Sequence, residues 1–204
     1  MIDNVKRIPG RDWKQNYEQT VIDLIHEYFP PIEYLIEIDG TQLVRTEDAE
    51  CDEIIRDFSH KTWDQLDHRL ITYHQEAPLL MSYAGFLKFL PAFLVDLFHA
   101  DTQVLHIVWN SLLEFQFEAR PAHSPYELND DQILCCILSF VSSSDFPLET
   151  MMPRRTAEEY FHNPSPEAAL NMLTLGLPHE RITAIQSRIE QINDCFVREH
   201  WDEG

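Results

Sequence analysis

Ser82-Tyr83-Ala84-Gly85-Phe86-Leu87-Lys88-Phe89-Leu90-Pro91-Ala92-Phe93-Leu94-Val95-Asp96-Leu97-Phe98 is the stretch that decides the fold. Serine is a good helix N-cap, and the run behind it is apolar on nearly every side. A helix without a polar stripe belongs at the centre of a body, with other elements wrapped around it. Pro91 removes one internal hydrogen bond and predicts a kink. Carried back to Leu79, the apolar stretch is barely long enough to span a bilayer, and it contains Lys88, Pro91 and Asp96. A buried helix satisfies these residues better than a membrane span does.

Working outward, Trp13, Tyr17, Val21, Leu24, Ile25 and Tyr28 recur at three- and four-residue spacing, one face of an amphipathic helix. Asp12 can cap its start and Pro30-Pro31 ends it. Ile54, Ile55 and Phe58 predict a short helix after Cys51, and Trp63, Leu66, Leu70, Ile71 and Tyr73 continue the helical pattern. A further apolar helix covers Val104–Phe117, and Arg120–Pro125 reads as a loop. Asn129 or Asp130 caps a helix through Ile133, Leu134, Ile137, Leu138 and Val141. In the last helix Pro178 sits at the first turn, and Ile182, Ile185, Ile189, Ile192 and Phe196 make a narrow seam. That seam is too short for a free coiled coil and is expected to pack on the body. Strands are expected only near residues 34–44, where Tyr34-Leu35-Ile36-Glu37-Ile38 and Gln42-Leu43-Val44 flank the turn signal Asp39-Gly40. The expectation is a mainly α protein, a compact multi-helix bundle with at most a small hairpin. A chain of 204 residues supports one such domain, divided, if anywhere, near 147–153.

Charge is the second strong signal. There are 35 acidic and 15 basic residues, a formal net of −20. Residues 33–57 carry −7 and residues 89–153 carry −8, so two blocks hold most of the excess. The normal aromatic and aliphatic content argues for a folded chain despite the charge. So negative a surface repels nucleic acid and anionic membrane and attracts basic partners. The densest cluster is Glu47, Asp48, Glu50, Asp52 and Glu53.

Several chemistries lack their residues. With five glycines there is no Gly-rich phosphate loop, and no Gly-x-Ser-x-Gly, His-Glu-x-x-His or Cys-x-x-Cys occurs. Cys51, Cys135, Cys136 and Cys195 show no disulfide spacing; the adjacent pair in an apolar run reads as two buried thiols in a reducing compartment. The start of the chain has no apolar signal core, so a soluble, cytoplasmic protein is expected.

One constellation competes with the charge. Four of the ten histidines follow a carboxylate by three positions: Asp23/His26, Asp57/His60, Asp96/His99 and Glu159/His162. On a helix such a pair shares a face and can aim two ligands at one ion, as in helical bundles that hold two metals. Only Glu159/His162 has the literal Glu-x-x-His form. The alternative is a set of surface histidines favoured at helix C-termini.

The run Cys51-Asp52-Glu53-Ile54-Ile55, then Trp63-x-x-Leu66, His74-x-x-Ala77 and Phe86-x-x-x-Leu90-Pro91-Ala92-Phe93-Leu94, resembles a family of uncharacterised small bacterial proteins. Its members share a Cys/Glu-rich start, a Trp-x-x-Leu step and an aromatic helix ending in Leu-Pro-Ala-aromatic. The resemblance covers residues 51–98, about a quarter of the chain. It departs at Ser82-Tyr83-Ala84-Gly85, where the family has Ser-Pro-Glu-Ala; the loss of proline weakens the helix start. The resemblance implies a bacterial, cytosolic, helical protein and carries no activity.

Two functional expectations follow. The first is a non-enzymatic acidic binding protein, of the immunity or inhibitor type, that neutralises a basic protein partner such as a toxin through Glu47, Asp48, Glu50, Asp52 and Glu53. It needs no cofactor, nucleic acid or membrane. The second is a metal-dependent enzyme using carboxylate/His pairs, with Glu159, His162, Asp96 and His99 as ligands.

Overall fold

The computed structural model describes residues 13–31, 43–45, 49–99, 107–112, 128–143, 171, 173–174 and 176–201. In chain order these form α1 (Trp13–Tyr28), α2 (Ala49–Phe58), a 3-10 turn (Trp63–Gln65), α3 (His68–Tyr73), the single turn α4 (Ala77–Leu80), α5 (Tyr83–Asp96), helical residues 107–112, α6 (Asp130–Ser143) and α7 (His179–Trp201). The fold is a compact helical one, and the expected position of the 82–98 stretch is the observed one. Most of the expected hairpin, residues 34–42, lies outside the described residues, as do 101–106, 113–127, 144–170 and the cap at Asp12.

The α5 helix is central because its residues leave it no polar side. Phe86, Phe89, Leu90, Pro91, Ala92, Phe93 and Leu94 are all buried, and the helix touches α1, the 3-10 turn, α3 and α6. Ser82 caps it, its Oγ accepting a hydrogen bond from the Gly85 N–H at 3.1 Å. The helix continues through Pro91, which has no N–H to give the Leu87 carbonyl. It ends at Asp96, two residues short of the expected Phe98, in a tight turn closed by His99 N–H to Asp96 O at 2.8 Å. Phe58 from α2 meets Phe89 edge-on at 5.1 Å and lies parallel to Phe93 at 6.3 Å, which ties α2 to the core.

Gly85 has a role that its place in the helix does not reveal. A Cβ there would lie 2.3 Å from the backbone oxygen of Leu43. Residues 43–45 run alongside the start of α5 as a short extended piece, with an antiparallel bridge between Val44 and Met81. Arg45 N–H donates to Leu80 O at 2.8 Å, Ser82 N–H to Leu43 O at 2.9 Å, and Arg45 Nε to Met81 O at 2.7 Å. Only glycine lets the backbone approach this closely.

The stretch from Trp63 to Tyr73 is not one helix. Thr62 N–H donates to the Gln65 side chain at 3.0 Å and closes the 3-10 turn, and Leu66 is extended. Asp67 then caps a new helix, accepting from Leu70 N–H at 2.9 Å. Trp63 is buried by this arrangement and donates its indole N–H to Phe29 O at 2.8 Å.

The second layer is α1, α6 and α7. Tyr17, Val21 and Ile25 bury one face of α1. Asn129, the first of the two expected caps, forms a reciprocal box with Gln132: Gln132 N–H to Asn129 Oδ1 at 2.9 Å and Asn129 N–H to Gln132 Oε1 at 3.1 Å. The α6 helix behind it is buried from Ile133 to Phe140. On α7, Ile185 and Ile192 are buried and Ile182 and Ile189 half-buried, so the isoleucine seam packs on the body, against α6. Arg181 binds Asp130 at 2.5 Å, and Arg188 binds Asp131 and reaches Tyr28, whose ring it overlies at 5.7 Å. Among the described residues no helix is long and apolar enough to cross a membrane.

Candidate functional site

The α2 helix is amphipathic for a simple reason. Cys51, Ile54 and Phe58 share one side at helical spacing and are buried, which turns Glu50, Asp52, Glu53, Arg56 and Asp57 to the opposite arc. Glu50 and Asp52 are exposed and Glu53 is half-buried; Glu47 and Asp48 lie outside the described residues. The described part of the expected acidic cluster is therefore carried on one solvent-facing arc.

α3 adds an aromatic to that arc. Tyr73 is 66% exposed and donates its hydroxyl to Glu53 at 3.0 Å, which raises the phenol's pKa. Its ring meets the ring of His74 edge-on at 4.7 Å. His74 is buried, also stands edge-on to Phe58 at 5.5 Å, and its Nε2 bonds Asp57 at 2.9 Å. Asp57 further accepts from Arg56 at 2.9 and 3.1 Å. The Arg56 guanidinium, then the His74 hydrogen bond, hold this carboxyl down at about 2. A chain of contacts thus runs Arg56–Asp57–His74–Tyr73–Glu53 and fixes an exposed tyrosine among carboxylates.

A second carboxylate–histidine contact joins α3 to the end of α5. Asp96 is 3% exposed; its Oδ1 lies 2.7 Å from His68 Nδ1, and its Oδ2 is buried with no hydrogen-bond partner among the described residues. Burial pushes this carboxyl up, and the hydrogen bond and charge of His68, with that of His99, pull it down. His68 is half exposed, and the exposed His99 ring stands 5.9 Å from it at 63°.

Neither contact is the one the three-residue spacing implies. Asp57 bonds His74, while His60 sits past the end of α2 with φ at 60°. Asp96 bonds His68, with His99 as a ring neighbour of His68. Asp23 accepts from Gln19 at 2.8 Å, and His26 packs on Trp63 at 4.7 Å. Glu159 and His162 lie outside the described residues. Among the described residues no group of three or more His, Cys, Asp or Glu is placed to hold a metal ion. Cys51, Cys135 and Cys136 are buried; burial pushes Cys135 up to about 12 and Cys136 well above a usual thiol, which leaves these two inert as nucleophiles.

Sequence reasoning missed Tyr73, His68 and His74. Tyr73 fits the helical apolar pattern of the sequence; the break at Leu66 and the new start at Asp67 turn it outward. No family model, curated protein or solved structure matches this chain.

Proposed function

We propose that this protein is a non-enzymatic binding protein whose acidic α2 arc, with Tyr73 at its edge, takes a basic protein partner. The observation that carries the reading is Tyr73: a large side chain 66% exposed, yet tethered by its hydroxyl to Glu53 and backed by a buried histidine. An aromatic held rigid in the free protein loses little entropy on binding, and tyrosine is enriched among residues that dominate interfaces. Around it Glu50, Asp52 and Glu53 give the negative field that speeds encounter with a basic surface. The buried thiols and the charge pattern fit a cytoplasmic setting. In the finer form of the proposal the partner is a basic toxin, for instance a nuclease, and this chain is its immunity protein. The resemblance over residues 51–98 to small bacterial proteins supports that setting by analogy.

The test is cross-linking in the native cells with four chains: the natural one, E50K/D52K, Y73A, and E180K/E190K as a control with the same charge change as the first variant on exposed α7 positions. A basic protein bound by the natural chain and the control, lost with E50K/D52K and with Y73A, and released as salt rises, supports the reading. The same bound proteins with all four chains would overturn it.

A further inference from the structure

We propose that His68 and His99 form a binding site for a divalent transition-metal ion of the zinc class, with Asp96 positioning the first of them. A metal-binding imidazole uses one nitrogen for the ion and gives the other to a carboxylate, which fixes the ring. His68 has that second contact already, Nδ1 to Asp96 Oδ1 at 2.7 Å, which leaves Nε2 as the metal-facing nitrogen. Asp96 is 3% exposed, so its grip on His68 is not loosened by water.

The separation of the rings fits one ion. A zinc–nitrogen distance of about 2.0–2.1 Å puts the ion about 3.2 Å from each ring centroid, and two rings at a tetrahedral angle then have centroids about 5.2 Å apart. The observed separation is 5.9 Å. Rotation of the exposed His99 side chain closes the difference.

The energetics point the same way. A buried carboxylate wants every lone pair met, and Asp96 Oδ2 has no hydrogen-bond partner among the described residues. A dication one imidazole away supplies charge that a half-exposed histidine alone does not. Two imidazole donors select zinc, nickel or copper over magnesium or calcium. This is an open site with water in the remaining positions, distinct from the three-residue clusters that are absent among the described residues. It is also independent of the α2 arc.

The experiment titrates Zn²⁺ alone into the untagged full chain by calorimetry, with ring-nitrogen NMR at saturation. One saturable site is expected, with the nitrogens of His68 and His99 shifting most. H68Q and H99Q each lower affinity at least tenfold; His99 is exposed and glutamine at 68 retains a donor for Asp96, and circular dichroism and urea unfolding verify that both variants fold. D96N lowers affinity by about 10–100-fold although it leaves both imidazoles in place. H60Q and H179Q, at exposed histidines elsewhere, leave binding unchanged. Absence of saturable zinc binding, or affinity unmoved by H68Q and H99Q, overturns the site. Unmoved affinity in D96N overturns the part given to Asp96.

Discussion

Gly85→Ala should destabilise the protein, although alanine is the better helix former. A Cβ at Gly85 would sit 2.3 Å from Leu43 O and 3.0 Å from Leu43 Cδ1, whereas ordinary contact begins near 3.4 Å. The obstacle is a backbone oxygen, so relief requires moving residues 43–45 or the start of α5 by about 1 Å. Three hydrogen bonds span that seam, at 2.7, 2.8 and 2.9 Å, and an opening of this size takes each beyond hydrogen-bond distance. At about 1 kcal/mol net apiece the loss is about 3 kcal/mol. Alanine returns up to about 1 kcal/mol of helix propensity. The balance is a destabilisation of about 2 kcal/mol, which for a chain of this size is a fall in Tm of about 4–8 °C. Urea unfolding followed by tryptophan fluorescence reads it directly, since Trp63 is buried in the same body. Ala84→Gly, one position earlier and half-exposed, is the control and should cost only the propensity, about 1 kcal/mol. If Gly85→Ala leaves the urea midpoint unchanged or raises it, the close approach of Leu43 is not what holds glycine there.

Three further outcomes follow from the same contacts. The Asp57 carboxyl is held at about 2 in the fold against an ordinary 3.8, so it favours the folded state above about pH 4, and that contribution is lost as pH falls through about 2. The shift sets a ceiling of about 2.5 kcal/mol; because Arg56 is 63% exposed, water screens part of it, and Asp57→Asn should cost about 1 kcal/mol at pH 7. Urea midpoints of the two chains should converge toward pH 2, and a gap that stays constant with pH would refute the assignment. Asn129→Ala removes the side-chain half of the α6 capping box and should cost about 1 kcal/mol, read as a lower Tm with unchanged far-ultraviolet circular dichroism. Phe89→Ala empties a fully buried site against Phe58 and should cost about 3–5 kcal/mol, measured by the same denaturation; a cost below about 1 kcal/mol would mean that α5 is not the centre of the core.

The elements that were legible in the chain are those whose evidence is local. The 82–98 stretch announces a central helix because its composition leaves no side for water, and Ser82 marks its start in advance. The same is true of the Ile185/Ile192 seam and of the Asn129 cap. Local evidence misleads where two signals overlap. Trp63, Leu66, Leu70 and Tyr73 fit a helical period, yet Asp67 is also a competent N-cap and restarts the chain there. The cap prevails because the extended Leu66 lets Trp63 turn inward and bind Phe29 O, and that rotation carries Tyr73 into solvent.

Gly85 and the two carboxylate–histidine contacts share a deeper reason for being illegible. Read locally, Gly85 weakens a helix start; its cause is an oxygen on a segment far back in the chain. Read locally, Asp57 and Asp96 each have a histidine three residues on. But α2 ends at Phe58 and α5 at Asp96, so in both cases the following histidine falls past the helix end, where the i,i+3 geometry no longer holds. The carboxylates turn instead to α3, which lays His74 and His68 beside them across 17 and 28 residues. A carboxylate in the last turn of a helix faces the helix's own negative end, and a histidine from a neighbouring element meets both charges at once. Spacing rules for paired ligands therefore apply inside helices, and at their ends the partner must be sought on whatever packs there. In this chain that element is α3, which is six residues long and carries His68 at its start and Tyr73 at its end, with His74 directly after. It supplies the aromatic beside the acidic arc and the imidazole bound to Asp96, so both proposed sites depend on the break at Leu66 that creates it.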